Sequence, residues 1–224
     1  MPRTSSTLHG KVSNTSQTHV GFTNSSSTKM GAGSGLTLQE RLDGIAKRIS
    51  SQEFLENKGL GNEVGIHVFA YDPHYEWQVR AAVANLMHAS VTGKLPCCIH
   101  ERNLWEAVLE VCRQKRILDK IDALEHKRGS KALQKSLQPI VTPEALVASM
   151  NWQPHEHGRD VLFITGVGQA YPFVRAHQIL ENGQHVFDDI PVVLFYPGTY
   201  NGRELALFGR HDQASNYYRA FSLI

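Results

Sequence analysis

The sequence predicts an α/β fold: a single three-layer domain with a mainly parallel sheet, helices on both faces, and short antiparallel strands at the C-terminus. Three observations predict it. Apolar runs of strand length recur at 64–70, 95–100, 160–165 and 191–196. Between most of them stand longer stretches whose apolar residues repeat every three or four positions, the helical period. Turn and capping residues fall at the joints between the two kinds of segment. A chain of 224 residues, 41% hydrophobic and 20% charged, suits one core of ordinary size.

Residues 1–35 are expected to form a disordered Ser/Thr/Gly-rich tail and residues 36–224 the folded domain. The first 29 residues hold 13 Ser or Thr and only scattered apolar side chains such as Leu8, Val12, Val20 and Phe22. These are too few to offset the entropy of ordering the chain. Met30 opens the sequence MGAGSGLTLQERL, so the tail reads as an extension from an upstream start.

Order is expected from Thr37-x-x-Glu40, a capping box that starts a helix with Leu38, Leu42, Ile45 and Ile49 at helical spacing. A short helix at 52–57 stops at Gly59. Val64, Ile66, Val68 and Ala70 alternate with Gly65, His67 and Phe69 as a strand that Asp72-Pro73 ends. Residues 74–89 read as an amphipathic helix with Trp77, Val79, Ala82, Val83 and Leu86 on its apolar face. A second strand is expected at 95–100. The next helical face is Leu104, Val108, Val111 and Cys112, carried on by Ile117, Ile121 and Leu124 to about residue 127.

Gly129-Ser130 breaks that region, and Leu133, Leu137 and Ile140 belong to another short helix. Thr142-Pro143-Glu144 is an N-cap with proline at the first helical position, opening a helix to Met150. NWQPHEHGRD reads as a polar loop, 160–165 as a strand, 171–182 as a helix and 191–196 as a strong strand. After the turn YPGTYNGRE, segments 205–208 and 217–223 are expected to form a terminal pair of short strands.

Charge lends no support to one function class. The formal net charge is +2, but Arg3, Lys11 and Lys29 place +3 in the first 29 residues and leave the remaining 195 at −1. A near-neutral folded part gives no general argument for a nucleic-acid-coating surface. Three cysteines, Cys97, Cys98 and Cys112, contain no C-x-x-C pair and fit a reducing compartment. No apolar run approaches the length of a membrane helix, and the N-terminus lacks a hydrophobic leader core. A cytoplasmic location is the expectation.

The stretch VLFITGVGQAYPFVRAHQIL, a strand, a glycine turn and a helix, has the order that can cradle a phosphate. A P-loop needs G-x-x-x-x-G-K-[ST], and no lysine or hydroxyl stands at that spacing here. A dinucleotide fingerprint needs a third glycine where Tyr171 stands, and Pro172 fits a first helical turn. The motif chemistry therefore favours a structural or recognition turn over phosphate binding.

His155, Glu156, His157 and Asp160 have metal-ligand side chains, but H-E-x-x-H is absent and a solvated loop is the simpler reading. Cys112 lies on an apolar helical face and reads as core. Asp188-Asp189 reads as the end of an element, although paired carboxylates can hold a metal. The basic runs at 113–116 and 126–128 are interleaved with Glu110, Asp119, Asp122 and Glu125, as on a solvated helix. No G-x-S-x-G elbow is present. In VVLFYPGTYNGRELALFG, tight glycine turns carry two tyrosines and an arginine, side chains that dominate protein–protein hot spots. The competing reading is a hairpin whose tyrosines cover the sheet end.

FLENKGLGNEVGIHVFAYDP, LFITGVGQAYPFVRAHQIL, PVVLFYPGTYNGRELALFG and NYYRAFSLI together resemble the BrxB family of BREX bacteriophage-defence systems. The resemblance runs from about Leu36 to the C-terminus. TGVG-x-x-YPF-x-R-x-H combined with VLFYPG-x-Y-x-G is its most specific part. It implies a non-enzymatic accessory or adaptor component with no cofactor or metal. The expected partner is the phosphatase-fold PglZ-like protein. The BrxC-like ATPase and the PglX-like methyltransferase are further possible partners, with DNA met only inside the complex.

Open α/β sheets place binding loops at the carboxyl ends of their strands. If 160–165 and 191–196 are parallel neighbours, the loops after them meet at one edge. The candidate partner-binding residues are accordingly Gly166, Gly168, Tyr171, Arg175, His177, Tyr200 and Arg203. Two other classes stand beside the adaptor. One is a nucleotide- or nucleic-acid-binding protein on a degenerate P-loop-like scaffold. The other, weaker one is a metal-dependent hydrolase using His155, His157 and Asp160.

Overall fold

The computed structural model describes residues 35–57, 65–209 and 220–224. Helix α1 (Leu38–Ile49) begins at the expected capping box, where Glu40 N–H reaches Thr37 Oγ1 at 3.3 Å and Thr37 N–H reaches Glu40 Oε2 at 2.7 Å. Helix α2 (Gln52–Leu55) follows; the expected stop at Gly59 lies outside the described residues, as do residues 1–34 of the expected tail.

Strand β1 (Ile66–Tyr71) leads through a 3-10 turn, Pro73–Tyr75, into α3 (Glu76–Val91). Strand β2 (Cys98–Asn103) is followed by α4 (Leu104–Gln114), α5 (Leu118–Arg128), α6 (Ser130–Leu137) and α7 (Pro143–Met150). Strand β3 (Asp160–Thr165) runs into α8 (Val167–Ala170) and α9 (Ala176–Gly183), and β4 (Val192–Tyr200), β5 (Leu205–Leu207) and β6 (Phe221–Ser222) complete the fold.

The strands order as β2-β3-β4-β1-β6, all parallel, with β5 antiparallel on the outer end of β4. The α/β class and the mainly parallel sheet expected from the sequence are what the chain adopts. Central β4 is buried from Val192 to Gly198, because a parallel strand covered on both faces has no solvent side. One core lies between the sheet and α4–α9, with Val68, Leu162, Ile164, Val192 and Leu194 pointing into it. The other lies between the sheet and α1–α3, filled by Phe69, Phe163, Val193 and Phe195.

Several elements differ from the sequence reading. The 95–100 strand starts at Cys98, beyond Pro96, which has no N–H to give a ladder. Trp77 is 79% exposed and off the apolar face of α3. It is two residues from buried Val79, about 200° around a helix, and it packs under the Arg80 guanidinium instead. The helix from 104 breaks at 115–117, where Arg116 takes φ 55°. The expected 171–182 helix starts late, and a separate single turn, α8, stands before it. Tyr171 is extended at φ −70° and ψ 137°, the conformation that a following proline imposes, so α8 ends before it and α9 starts at Ala176.

The expected terminal strand pair is not a pair. Leu205–Leu207 joins β4, whereas Phe221–Ser222 runs parallel to β1 on the far side of it, held by Leu223 N–H to Val68 O at 3.0 Å. Residues 217–219 of that segment lie outside the described residues. The 151–160 loop is less solvated than its composition suggests: the His155 side chain is 0% exposed and Asp160 is buried. Trp152 stacks on His100 at 4.2 Å and folds the loop back over the sheet.

Candidate functional site

β3 and β4 are parallel neighbours, pairing Leu162 with Val192 and Ile164 with Leu194, so the segments after them emerge side by side at the carboxyl edge. Gly166 leaves β3 in the left-handed conformation at φ 72° and starts the single turn of α8. A Cβ there would meet the Asn103 side chain, 2.6 Å from its Cγ. That asparagine is committed, accepting from Trp105 N–H at 2.9 Å and Glu106 N–H at 3.3 Å to cap α4. Glycine at 166 is therefore explained by backbone conformation and crowding.

Gly168 explains itself the same way. A Cβ on it would come within 3.1 Å of the Phe208 ring and 3.2 Å of Pro197 Cγ. Its bare Cα lets α8 press against the β4–β5 hairpin. Tyr171 then meets Phe208 edge to face, centroids 6.2 Å apart at 89°. Tyr171, Arg175 and His177 line a cavity of about 20 Å³ with Tyr196, Leu205 and Leu207, room for about one water. Burial lowers the pKa of His177, and Glu181 opposes that shift. Phe208 remains 41% exposed at the rim.

The fold thus brings Gly168, Tyr171, Arg175 and His177 together, with Gly166 one step behind them against Asn103. Tyr200 and Arg203 stand apart at the hairpin's outer end. The Tyr200 hydroxyl donates to Ala220 O at 2.7 Å and accepts from Ala220 N–H at 2.9 Å, which ties the hairpin to the C-terminal strand. Arg203 is exposed in the turn, where Asn201 Oδ1 accepts from its N–H at 3.0 Å.

Sequence reasoning missed a neighbouring cleft of about 520 Å³ at the end of β2, lined by Glu101, Asn103, Glu106, Glu110, Arg113 and Ser149 among others. Glu106 and Glu110 are one helical turn apart on the polar side of α4, a spacing that could have revealed it. Thr165 donates to Glu101 at 2.7 Å, and Arg113 pairs with Glu110, so part of the wall is already engaged.

The fold does not gather His155, His157 and Asp160. His155 Nδ1 and His157 Nδ1 lie 2.7 Å from Asp189 Oδ1 and Asp189 O, respectively. Asp160 turns instead toward Cys98 and His100, the group with metal-ligand chemistry among the described residues.

Comparison with known proteins places these features in a family. A family model for the BREX protein BrxB matches residues 100–223. A BREX protein BrxB of Bacillus cereus (strain H3081.97) is 40% identical over 191 residues, covering 84% of this chain and 97% of its own. The chain belongs to the BrxB family. A second BrxB, from Escherichia coli O9:H4 (strain HS), is 31% identical over 188 residues, covering 84% of this chain and 92% of its own. No solved structure matches the chain. Membership assigns this BrxB-family chain to BREX phage defence, and the matched span includes the Gly166–His177 loop and the β4–β5 hairpin. No helix among the described residues is long and apolar enough to cross a membrane.

Proposed function

We propose that the chain acts as a non-enzymatic adaptor in its BREX system, docking on the phosphatase-fold PglZ-like protein through the carboxyl edge of its sheet. The observation that carries this is the interlock of two loops into one preformed surface. Gly168 packs under Phe208 and Pro197, and Tyr171 braces Phe208 at a right angle. A surface already ordered before binding loses little entropy on association. Exposed aromatic and arginine side chains on such a surface are the usual anchors of an interface. Phe208 is exposed here, with Tyr171 and Arg175 half-buried nearby, and Arg203 is exposed farther out at the hairpin's end.

The single-turn α8 supports recognition better than phosphate binding, since one turn aligns few peptide dipoles. Binding to the BrxC-like ATPase or the PglX-like methyltransferase would use the same edge in a larger assembly.

The test is co-purification of the full chain with the PglZ-like protein, comparing the parent with the double variant Arg203→Glu, Phe208→Ala. Tyr200 is left intact because its hydroxyl holds the C-terminal strand. Capture is expected to weaken at least about 10-fold with the melting temperature unchanged, the scale of a hot-spot loss. Undiminished capture removes this edge from the interface. A rise in melting temperature with ATP or GTP that Gly166→Ala abolishes would favour nucleotide binding instead.

A further inference from the structure

The opposite, amino-terminal edge of the sheet carries a second cluster of reactive side chains. Parallel pairing sets Cys98 opposite Asp160 at the first rung of β2 and β3. His100, two residues along β2, shares a face with Cys98 because side chains alternate along a strand. The Sγ, imidazole and carboxylate donor atoms all lie within 4.8 Å of one another. His100 Nε2 is 3.2 Å from Asp160 Oδ1. The contact lacks hydrogen-bond alignment, and Nε2 is buried without a hydrogen-bond partner. Asp160, with its side chain 6% exposed, is fixed from behind by Glu156 N–H on Oδ2 at 3.0 Å. That leaves Oδ1 directed at the cluster.

We propose that Cys98, His100 and Asp160 bind a divalent metal of the zinc class. A thiolate, an imidazole and a carboxylate are the donor types zinc takes, usually in a tetrahedron. Zinc–donor bonds of about 2.0–2.3 Å put neighbouring donors roughly 3.3–3.6 Å apart. The His100–Asp160 separation is already near that edge, and the remaining gaps close by about an ångström of side-chain movement. Cys98 and His100 are partly exposed, which gives the ion a way in and leaves the fourth position to water.

The surroundings are built for support. Trp152 stacks on His100 at 4.2 Å, and the Arg102 guanidinium lies 4.9 Å over the same indole. This fixes the imidazole plane before an ion arrives. Burial, and next the Asp160 carboxylate, raise the pKa of the Cys98 thiol; a bound cation reverses that balance and draws off the proton. A metal here would clamp edge strand β2 to the start of β3 and to the loop that precedes it.

The experiment strips the purified full chain with a chelator, then titrates it with zinc and with cobalt. One equivalent of zinc is expected to bind and raise the melting temperature. Cobalt is expected to give thiolate-to-metal absorption in the near ultraviolet. Cys98→Ser removes that absorption. It should also weaken zinc binding by more than the roughly 10- to 100-fold that losing an outer-sphere partner costs. His100→Ala, a partly exposed position less apt to disturb folding than Asp160, weakens it comparably, whereas His157→Ala leaves it unchanged. Failure to bind zinc, or cobalt absorption that survives in Cys98→Ser, overturns the site. So does binding without a thiolate signal, which marks an ordinary histidine–aspartate contact with zinc on surface histidines.

Discussion

His67 is 1% exposed on β1, and neither ring nitrogen finds a hydrogen-bond partner among the described residues. Its neighbours are the Phe54 ring at 4.7 Å and the Phe221 ring at 5.7 Å. Burial, with a smaller push from Arg48, lowers its pKa to about 4. The folded chain therefore keeps the imidazole neutral where the unfolded chain, near its ordinary 6.5, takes up a proton. Stability is full above about pH 6.5 and falls as the pH drops toward 4, with a loss of about 2 kcal/mol between pH 7 and pH 5. Urea midpoints at those two pH values measure it. His67→Leu should show a smaller fall than the parent, and equal falls would refute the assignment. The alternation around His67 was legible in the sequence as a strand. Its acid sensitivity was not, because the partners Phe54 and Phe221 come from a separate helix and from the chain's end.

At the level of elements, caps and strand patterns carried most of the information. The capping box at Thr37, proline at the start of α7 and the apolar run of β3 all act where the sequence places them, since each depends on neighbours within a few residues. What escaped was set by distant contacts. The helix expected from Tyr171 starts only at Ala176, because Pro172 holds Tyr171 extended while α8 packs on the hairpin. In the candidate site the glycine pair was legible as a turn, but the contact of Tyr171 with Phe208 was not, because 37 residues separate the two rings in sequence. Tyr200 read equally as an interface anchor and as a cover for the sheet end, and its hydroxyl satisfies both backbone groups of Ala220. Tyr200→Phe should cost about 1–3 kcal/mol, the penalty for leaving such groups unpaired. Amide exchange locates the loss. The Leu223 amide, bonded to Val68 O, should lose protection while the centre of β4 keeps its own. Unchanged protection at Leu223 would mean that the terminal strand holds without the tyrosine.

For the whole molecule, one sheet divides two cores without making them independent. Successive residues of β4 serve opposite sides: Leu194 packs with α4–α9 and Phe195 with α1–α3, both nearly inaccessible to solvent. Phe195 touches Phe163 at 5.0 Å and Phe69 at 5.7 Å, so three neighbouring strands share its ring. Removing it cannot loosen one face alone, because the same backbone presents Leu194 to the other. The faces also have separate reporters. Trp105 and Trp152 pack against the α4–α9 core, whereas Trp77 is exposed on α3 and changes little on unfolding. Phe195→Ala should cost about 3–5 kcal/mol, as expected for a buried aromatic. Tryptophan fluorescence, read from the face opposite the substitution, should shift by the same amount as far-ultraviolet circular dichroism. Coincident transitions are the mark of a single cooperative unit. If helix content is lost at a lower urea concentration while the tryptophan signal stays put, α1–α3 come away first. The sheet would then be a boundary between two units and not the shared centre of one.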